Sequence, residues 1–144
     1  MDEDKKQSRT GIWKMFDEIS STYDFLNHFL SFGIGIYWRK KVVNFLPKTP
    51  DIRLLDLATG TADQLITILK KAKHVKNALG IDLSKEMIRI GQKKIIDKPY
   101  SHQVTLMEGD ATSISLNDES VDCVTMSFGI RNVTNIAQCL NECF

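Results

Sequence analysis

From Arg53 onward, short apolar runs alternate with amphipathic stretches, and this alternation constrains the fold more than any other feature of the chain. It is the pattern of a parallel sheet whose strands are joined by crossover helices. Four strands are expected, at Arg53–Leu57, Ala78–Asp82, Val104–Met107 and Val121–Phe128. Helices are expected near Asp63–Lys71 and from Lys85 to Lys94, the second with Ser84 as its N-cap. Asn135 with Gln138 resembles a capping box that opens a last helix.

Ahead of this unit, Ile12 to Leu46 carries helix-like spacing, with Ile12, Met15, Phe16 and Ile19 on one face. Asn27 to Gly35 interrupts it, and a further helix is expected from Tyr37 to Leu46, ending before Pro47 and Pro50. Those prolines divide the chain into an N-terminal helical segment, residues 1–49, and a sheet-containing unit, residues 50–144. The last helix runs to Cys143 and Phe144 without a C-cap signal, so the chain reads as cut short, with a helix ending at a natural terminus as the alternative.

At 144 residues the chain has room for one domain, and 42% apolar with 26% charged residues suits a packed core rather than a disordered segment. Nineteen basic against eighteen acidic residues leave +1, which gives no strong field toward nucleic acid. The three cysteines, Cys123, Cys139 and Cys143, form no CxxC pair and have no matching histidine cluster, so neither a disulfide framework nor a metal site is expected. The polar start, Met1 to Lys6, is unlike a signal peptide. The most apolar stretch, Phe29 to Trp38, is far short of the ~20 residues that cross a bilayer. The chain therefore reads as cytoplasmic.

In open α/β sheets, ligands gather at the carboxyl ends of the strands. The first strand exits through Asp56-Leu57-Ala58-Thr59-Gly60-Thr61-Ala62-Asp63, a small-residue loop leading into a helix N-terminus suited to a carboxylate or phosphate. The second strand ends in Asp82, where a carboxylate can accept from both hydroxyls of a ribose. The third leads into Gly109-Asp110-Ala111, with a carboxylate placed to accept from the adenine amino group and a backbone donor at Ala111. Three strand ends thus point toward an adenosine, against the alternative that each aspartate merely caps its own turn.

Between adenosine cofactors, a dinucleotide needs glycine at three positions of G-x-G-x-x-G, whereas Gly60 is followed by Ala62 and Leu65. A pyrophosphate would also pass Asp56 and Asp63 with no Lys or Arg in the loop to offset them. S-adenosylmethionine fits better, since carboxylates favour its sulfonium and ammonium and a helix N-terminus favours its carboxylate.

The stretches Met15–Asn27, Leu30–Gly33, Trp38-Arg39-Lys40, Leu55–Asp63 and Ser127-Phe128-Gly129-Ile130-Arg131-Asn132-Val133, in this order, resemble the menaquinone/ubiquinone biosynthesis C-methyltransferases. The resemblance covers residues 12–144, and the Phe-Gly-Ile-Arg-Asn-Val element is its most specific part. It implies a Rossmann-like, class I S-adenosylmethionine-dependent methyltransferase core, α/β, with the first four strands, parallel, of a seven-stranded sheet present and an N-terminal helical layer. It also implies C-methylation of a polyprenylated quinol ring, demethylmenaquinol or the ubiquinone-pathway benzoquinol; the alternative is a catalytically inactive fragment that binds S-adenosylmethionine.

Carried over residue by residue, the resemblance makes Thr61, Asp82, Asp110, Ala111 and Ser127 cofactor contacts, with Asp56 and Gly60 in the same loop. It puts Arg131 near the quinol oxygen, where a guanidinium can stabilise a phenolate; the bland alternative is that Arg131 anchors its loop. Ala62 departs from the family's usual glycine, so its methyl either crowds the cofactor or sits at a backbone angle that costs roughly 1 kcal/mol. Phe16, Tyr23, Phe25, Leu26, Phe29, Phe32 and Trp38 form a substrate lid or ordinary core, and Arg39-Lys40-Lys41 suits membrane phosphates or a solvated helix face. Losing further strands would expose the edge of the fourth and invite pairing with another chain, a route to a homo-oligomer.

Overall fold

The computed structural model describes residues 34–144 together with Lys14, Met15, Glu18 and Ile19, all four of which are helical. Phe16, Tyr23, Phe25, Leu26, Phe29 and Phe32 of the expected lid lie outside the described residues. Helix α1 (Ile34–Val42) is followed by a 3-10 turn over Val43–Phe45. It stops earlier than Leu46 because Leu46, ahead of Pro47, is extended at φ −63° and ψ 145°, the conformation a residue before proline must take.

The rest alternates as expected: β1 (Ile52–Leu57), α2 (Asp63–Lys71), β2 (Val75–Asp82), α3 (Lys85–Ile95), β3 (Val104–Glu108), β4 (Cys123–Thr125) and α4 (Ile136–Glu142). All pairings are parallel, in the order β3-β2-β1-β4. Strand order reverses between β1 and β4, which places a crevice outside their carboxyl ends.

Two expected strands change length. Strand β2 begins at Val75, because Val75 and Asn77 pair with Ile52 and Arg53 although Lys76 and Asn77 are solvent-facing and interrupt the apolar run. Strand β4 is only Cys123–Thr125, not Val121–Phe128. Before it, the Asp122 carboxylate takes the Arg53 amide (2.8 Å) and guanidinium. After it, Phe128 at φ +64° turns the chain. Among the described residues β4 pairs with β1 alone, so its outer edge is open.

Successive β1 side chains point to opposite faces and both faces are covered. Leu54 joins Leu65, Ile68, Leu69, Ile88, Ile95, Tyr100 and Leu106 under α2 and α3, and Leu46 extends the same core toward α1. Leu55 and Leu57 join Ile81, Val133 and Cys139 on the other face, under α4. The helices bury the stripes their spacing gives: Met87, Ile88, Gly91 and Ile95 on α3, and Gln64, Leu65, Ile68 and Leu69 on α2. Both expected N-caps are made, with Ser84 Oγ accepting from the Met87 amide at 3.2 Å and Asn135 Oδ1 from the Gln138 amide at 3.1 Å. Each cap closes one otherwise unpaired amide at its helix start, which fixes where α3 leaves β2 and therefore where Asp82 sits.

Candidate functional site

The loop leaving β1 is strained. Ala58, Gly60 and Ala62 adopt φ of +51°, +57° and +67°, so two alanines stand in a region that costs an L side chain roughly 1 kcal/mol each. The Thr59 amide donates to the Ile81 carbonyl (3.0 Å) and the Ala62 amide to the Thr59 carbonyl (3.0 Å), so both ends of the loop are held.

The Ala62 methyl does not crowd a ligand. It is fully enclosed in the core, 3.3 Å from where a side chain on Gly91 would begin. Of the two consequences expected at this position, the backbone angle is the one realised. Gly60 is the opposite case, since a Cβ built there meets nothing within 4 Å and its face of the loop opens to the crevice.

Asp82 ties the strand ends together. Its Oδ2 accepts from the Gly60 amide at 2.8 Å and its Oδ1 from the Ser84 amide at 2.9 Å, while its carbonyl accepts from the Gly109 amide at 2.9 Å. The β1, β2 and β3 loops therefore meet at one residue. Asp110 follows Gly109, exposed, with Oδ1 accepting from the Thr112 amide and hydroxyl, both at 2.8 Å. It caps its own turn, as the bland alternative holds, and its second oxygen is not used in that turn. Ala111 is half-buried against the Ile81 side of the core.

Asp56 lies beneath the loop, buried, and accepts from the Thr125 hydroxyl at 2.6 Å. Burial pushes its carboxyl up to about 6; the Thr125 hydroxyl opposes the shift, the nearby Asp82 adds to it, and Arg39 subtracts from it.

Thr61 is buried too, and its Oγ1 accepts from Lys94 Nζ at 2.8 Å. The same ammonium reaches Asp63 Oδ1 at 2.9 Å, and Arg39 approaches Asp63 at 3.7 Å. This corrects the electrostatic case against a pyrophosphate, because Asp63 is paired by cations from α1 and α3 that the loop itself lacks. Asp56 and Asp82 remain as the acidic groups of the crevice. It also removes Arg39 from the basic triplet, leaving Lys40 and Lys41 exposed.

Beyond β4, Ser127 donates to Gln64 Oε1 at 2.8 Å. A Cβ on Gly129 would lie 2.4 Å from the Ala58 Cβ, so this loop packs closely on the loop after β1 and closes the crevice there. Arg131, on the 3-10 turn Ile130–Asn132, is exposed and makes no hydrogen bond or ion pair among the described residues, so no loop-anchoring contact occupies it. Sequence reasoning missed Gln64, Lys94 and Thr125. Gln64 carried a signal, as the one polar residue in the 64, 65, 68, 69 core stripe; Lys94 carried none.

A parallel sheet with an order reversal beside β1, a tight small-residue loop into α2 and an acidic residue ending β2 define the Rossmann-like fold of the class I methyltransferases. Solved structures agree on the fold: a SAM-dependent methyltransferase from Aquifex aeolicus (TM-score 0.63, 23% identity, 73% of this chain and 55% of that one) and phosphoethanolamine N-methyltransferase 1 of Haemonchus contortus (TM-score 0.69, 18% identity, 92% and 27%). Within that class, residues 2–144 match the ubiE/COQ5 methyltransferase family, and the chain belongs to it. It is 38% identical over 133 residues to the ubiquinone/menaquinone biosynthesis C-methyltransferase UbiE of Geotalea daltonii, covering 92% of this chain and 57% of that protein. It is 37% identical over 130 residues to the demethylmenaquinone methyltransferase of Thermotoga maritima, covering 90% and 54%. The chain thus spans about half the length of the curated relatives it matches.

Proposed function

We propose that this chain binds S-adenosylmethionine and serves the C-methylation of a polyprenylated quinol ring, a demethylmenaquinol, with the ubiquinone-pathway benzoquinol as a related substrate. The observation that supports it best is the convergence of three strand-end loops on Asp82. In this reading Asp82 accepts from the ribose hydroxyls and Asp110 from the adenine amino group, with Ala111 as a backbone donor. Thr61, Gly60 and Ser127 line the amino-acid end, and the N-terminus of α2 faces its carboxylate. Asp56 and Asp82 favour its cationic groups. When bound, S-adenosylmethionine supplies the electrophilic methyl group. Arg131, always charged and without a partner among the described residues, stabilises the phenolate that forms as the quinol oxygen gives up its proton to solvent water.

The test is transfer of label from methyl-labelled S-adenosylmethionine to a short-chain demethylmenaquinol, with Arg131→Ala alongside. Labelled menaquinol is expected, with kcat falling roughly 10- to 100-fold in the variant while S-adenosylhomocysteine affinity holds. A second reading, cofactor binding without transfer, is favoured by the open outer edge of β4. Binding without labelled product selects it. The same edge supports a homo-oligomer, which sizing would register as a multiple of 16.4 kDa. Exposed Ile34, Tyr37 and Trp38 beside Lys40 and Lys41 support a peripheral membrane contact, read as a Trp fluorescence change on anionic vesicles. Among the described residues, no helix is long and apolar enough to cross a membrane.

A further inference from the structure

Gln64 is buried at the first turn of α2 and bridges α1 to the loop after β4. Its Nε2 donates to the Arg39 carbonyl of α1 at 3.2 Å, and its Oε1 accepts from the Ser127 hydroxyl at 2.8 Å. The direction of this chain is forced. A backbone carbonyl can only accept, so the amide must turn its NH2 toward Arg39 and its oxygen toward Ser127. Ser127 must then donate its single proton to Gln64, which leaves its oxygen with lone pairs only.

We infer that Gln64 is a positioning residue that fixes Ser127 as an acceptor toward the crevice, selecting a donor group there, the ammonium of the cofactor's amino-acid end, over its carboxylate. The inference rests on the S-adenosylmethionine reading and deepens it. An unconstrained serine could rotate its proton toward a carboxylate and serve either group; the Arg39-Gln64-Ser127 relay removes that choice. It also makes the polarity of the cofactor site depend on the Arg39 carbonyl of α1.

The experiment compares S-adenosylhomocysteine, which carries both the ammonium and the carboxylate, with its deaminated analogue, which keeps the adenosine, the sulfur and the carboxylate but lacks the amino group. For Gln64→Leu the expected result is an affinity loss of about 5- to 10-fold for S-adenosylhomocysteine and less than about twofold for the deaminated analogue. In a Ser127→Ala background the same change should have little further effect, since both substitutions break one relay. Should Gln64→Leu fail to fold, Ser127→Ala alone must show the same selective loss. Equal weakening of both ligands, or additive losses in the double variant, overturns the inference while leaving the cofactor reading intact. A wild-type chain that binds neither ligand overturns both.

Discussion

Asp56 and Thr125 are register partners in the parallel pairing of β1 with β4, and their buried side chains are joined at 2.6 Å as well. The centre of the sheet therefore holds a carboxyl group whose burial raises it from the ordinary 3.8 to about 6. A raised value means that the folded state binds the proton more tightly than the unfolded chain. Stability from this group is full below about 4 and is lost as pH rises through 6, by up to ~3 kcal/mol for a shift of about two units. Asp56→Asn should flatten that limb. Urea unfolding at pH 4.5 and 7.5 checks it, and an unchanged pH slope in the variant contradicts it.

Thr125→Val should act in the opposite sense. It removes the donor that favours the charged carboxylate, so its cost should be about 1–3 kcal/mol at pH 7.5 and smaller at pH 4.5, where Asp56 is protonated. Equal costs at the two pH values would mean that the hydroxyl does not stabilise the charge.

The pair that starts β4 behaves differently. Arg53 grips both oxygens of Asp122, at 2.8 and 3.0 Å, and holds that carboxyl down at about 2, chiefly through the side-chain hydrogen bond. A lowered value contributes stability that is present above the ordinary 3.8 and is lost as pH falls toward 2. Asp122→Asn should thus soften acid unfolding between pH 4 and 2. Because the pair is exposed, 1 M salt should reduce the difference.

Gly91→Ala tests how tightly α3 presses on the loop that leaves β1. Helix propensity alone favours alanine by about 1 kcal/mol. The new methyl would, however, lie 2.8 Å from Leu106 Cδ1 and 3.2 Å from the Thr61 backbone carbon. The leucine can rotate but the loop backbone cannot yield without moving Thr61. The variant should be destabilised by roughly 1–2 kcal/mol and should bind S-adenosylhomocysteine more weakly. A gain in thermal midpoint would show that the loop is looser than its geometry.

Much of the fold was legible because its signals are local. The Ser84 and Asn135 caps, the apolar stripes of α2 and α3 and the β-α alternation each fix one element from its own residues. The extent of β4 was not, since Val121–Phe128 reads as a strand while pairing and a positive φ at Phe128 confine it to three residues. The strand-end places of Asp82, Gly60 and Asp110 were legible in the sequence, and the loop angle at Ala62 was one of two consequences read from a missing glycine. The partners of Asp63 and Thr61 were invisible because Lys94 stands 31 and 33 residues away in sequence and Arg39 belongs to another layer. Sequence spacing registers which residues share an element, whereas these contacts join elements that only packing brings together.

The central claim, that these four strands build an S-adenosylmethionine site around Asp82, is tested most directly by calorimetric titration of the 144-residue chain, with Asp82→Asn as the control. Saturable binding with a Kd on the order of 1–100 μM, weakened about tenfold or more in the control, is the predicted result. A folded, monodisperse chain that gives no binding heat at any temperature, or an Asp82→Asn variant that binds as well as wild type, would contradict it.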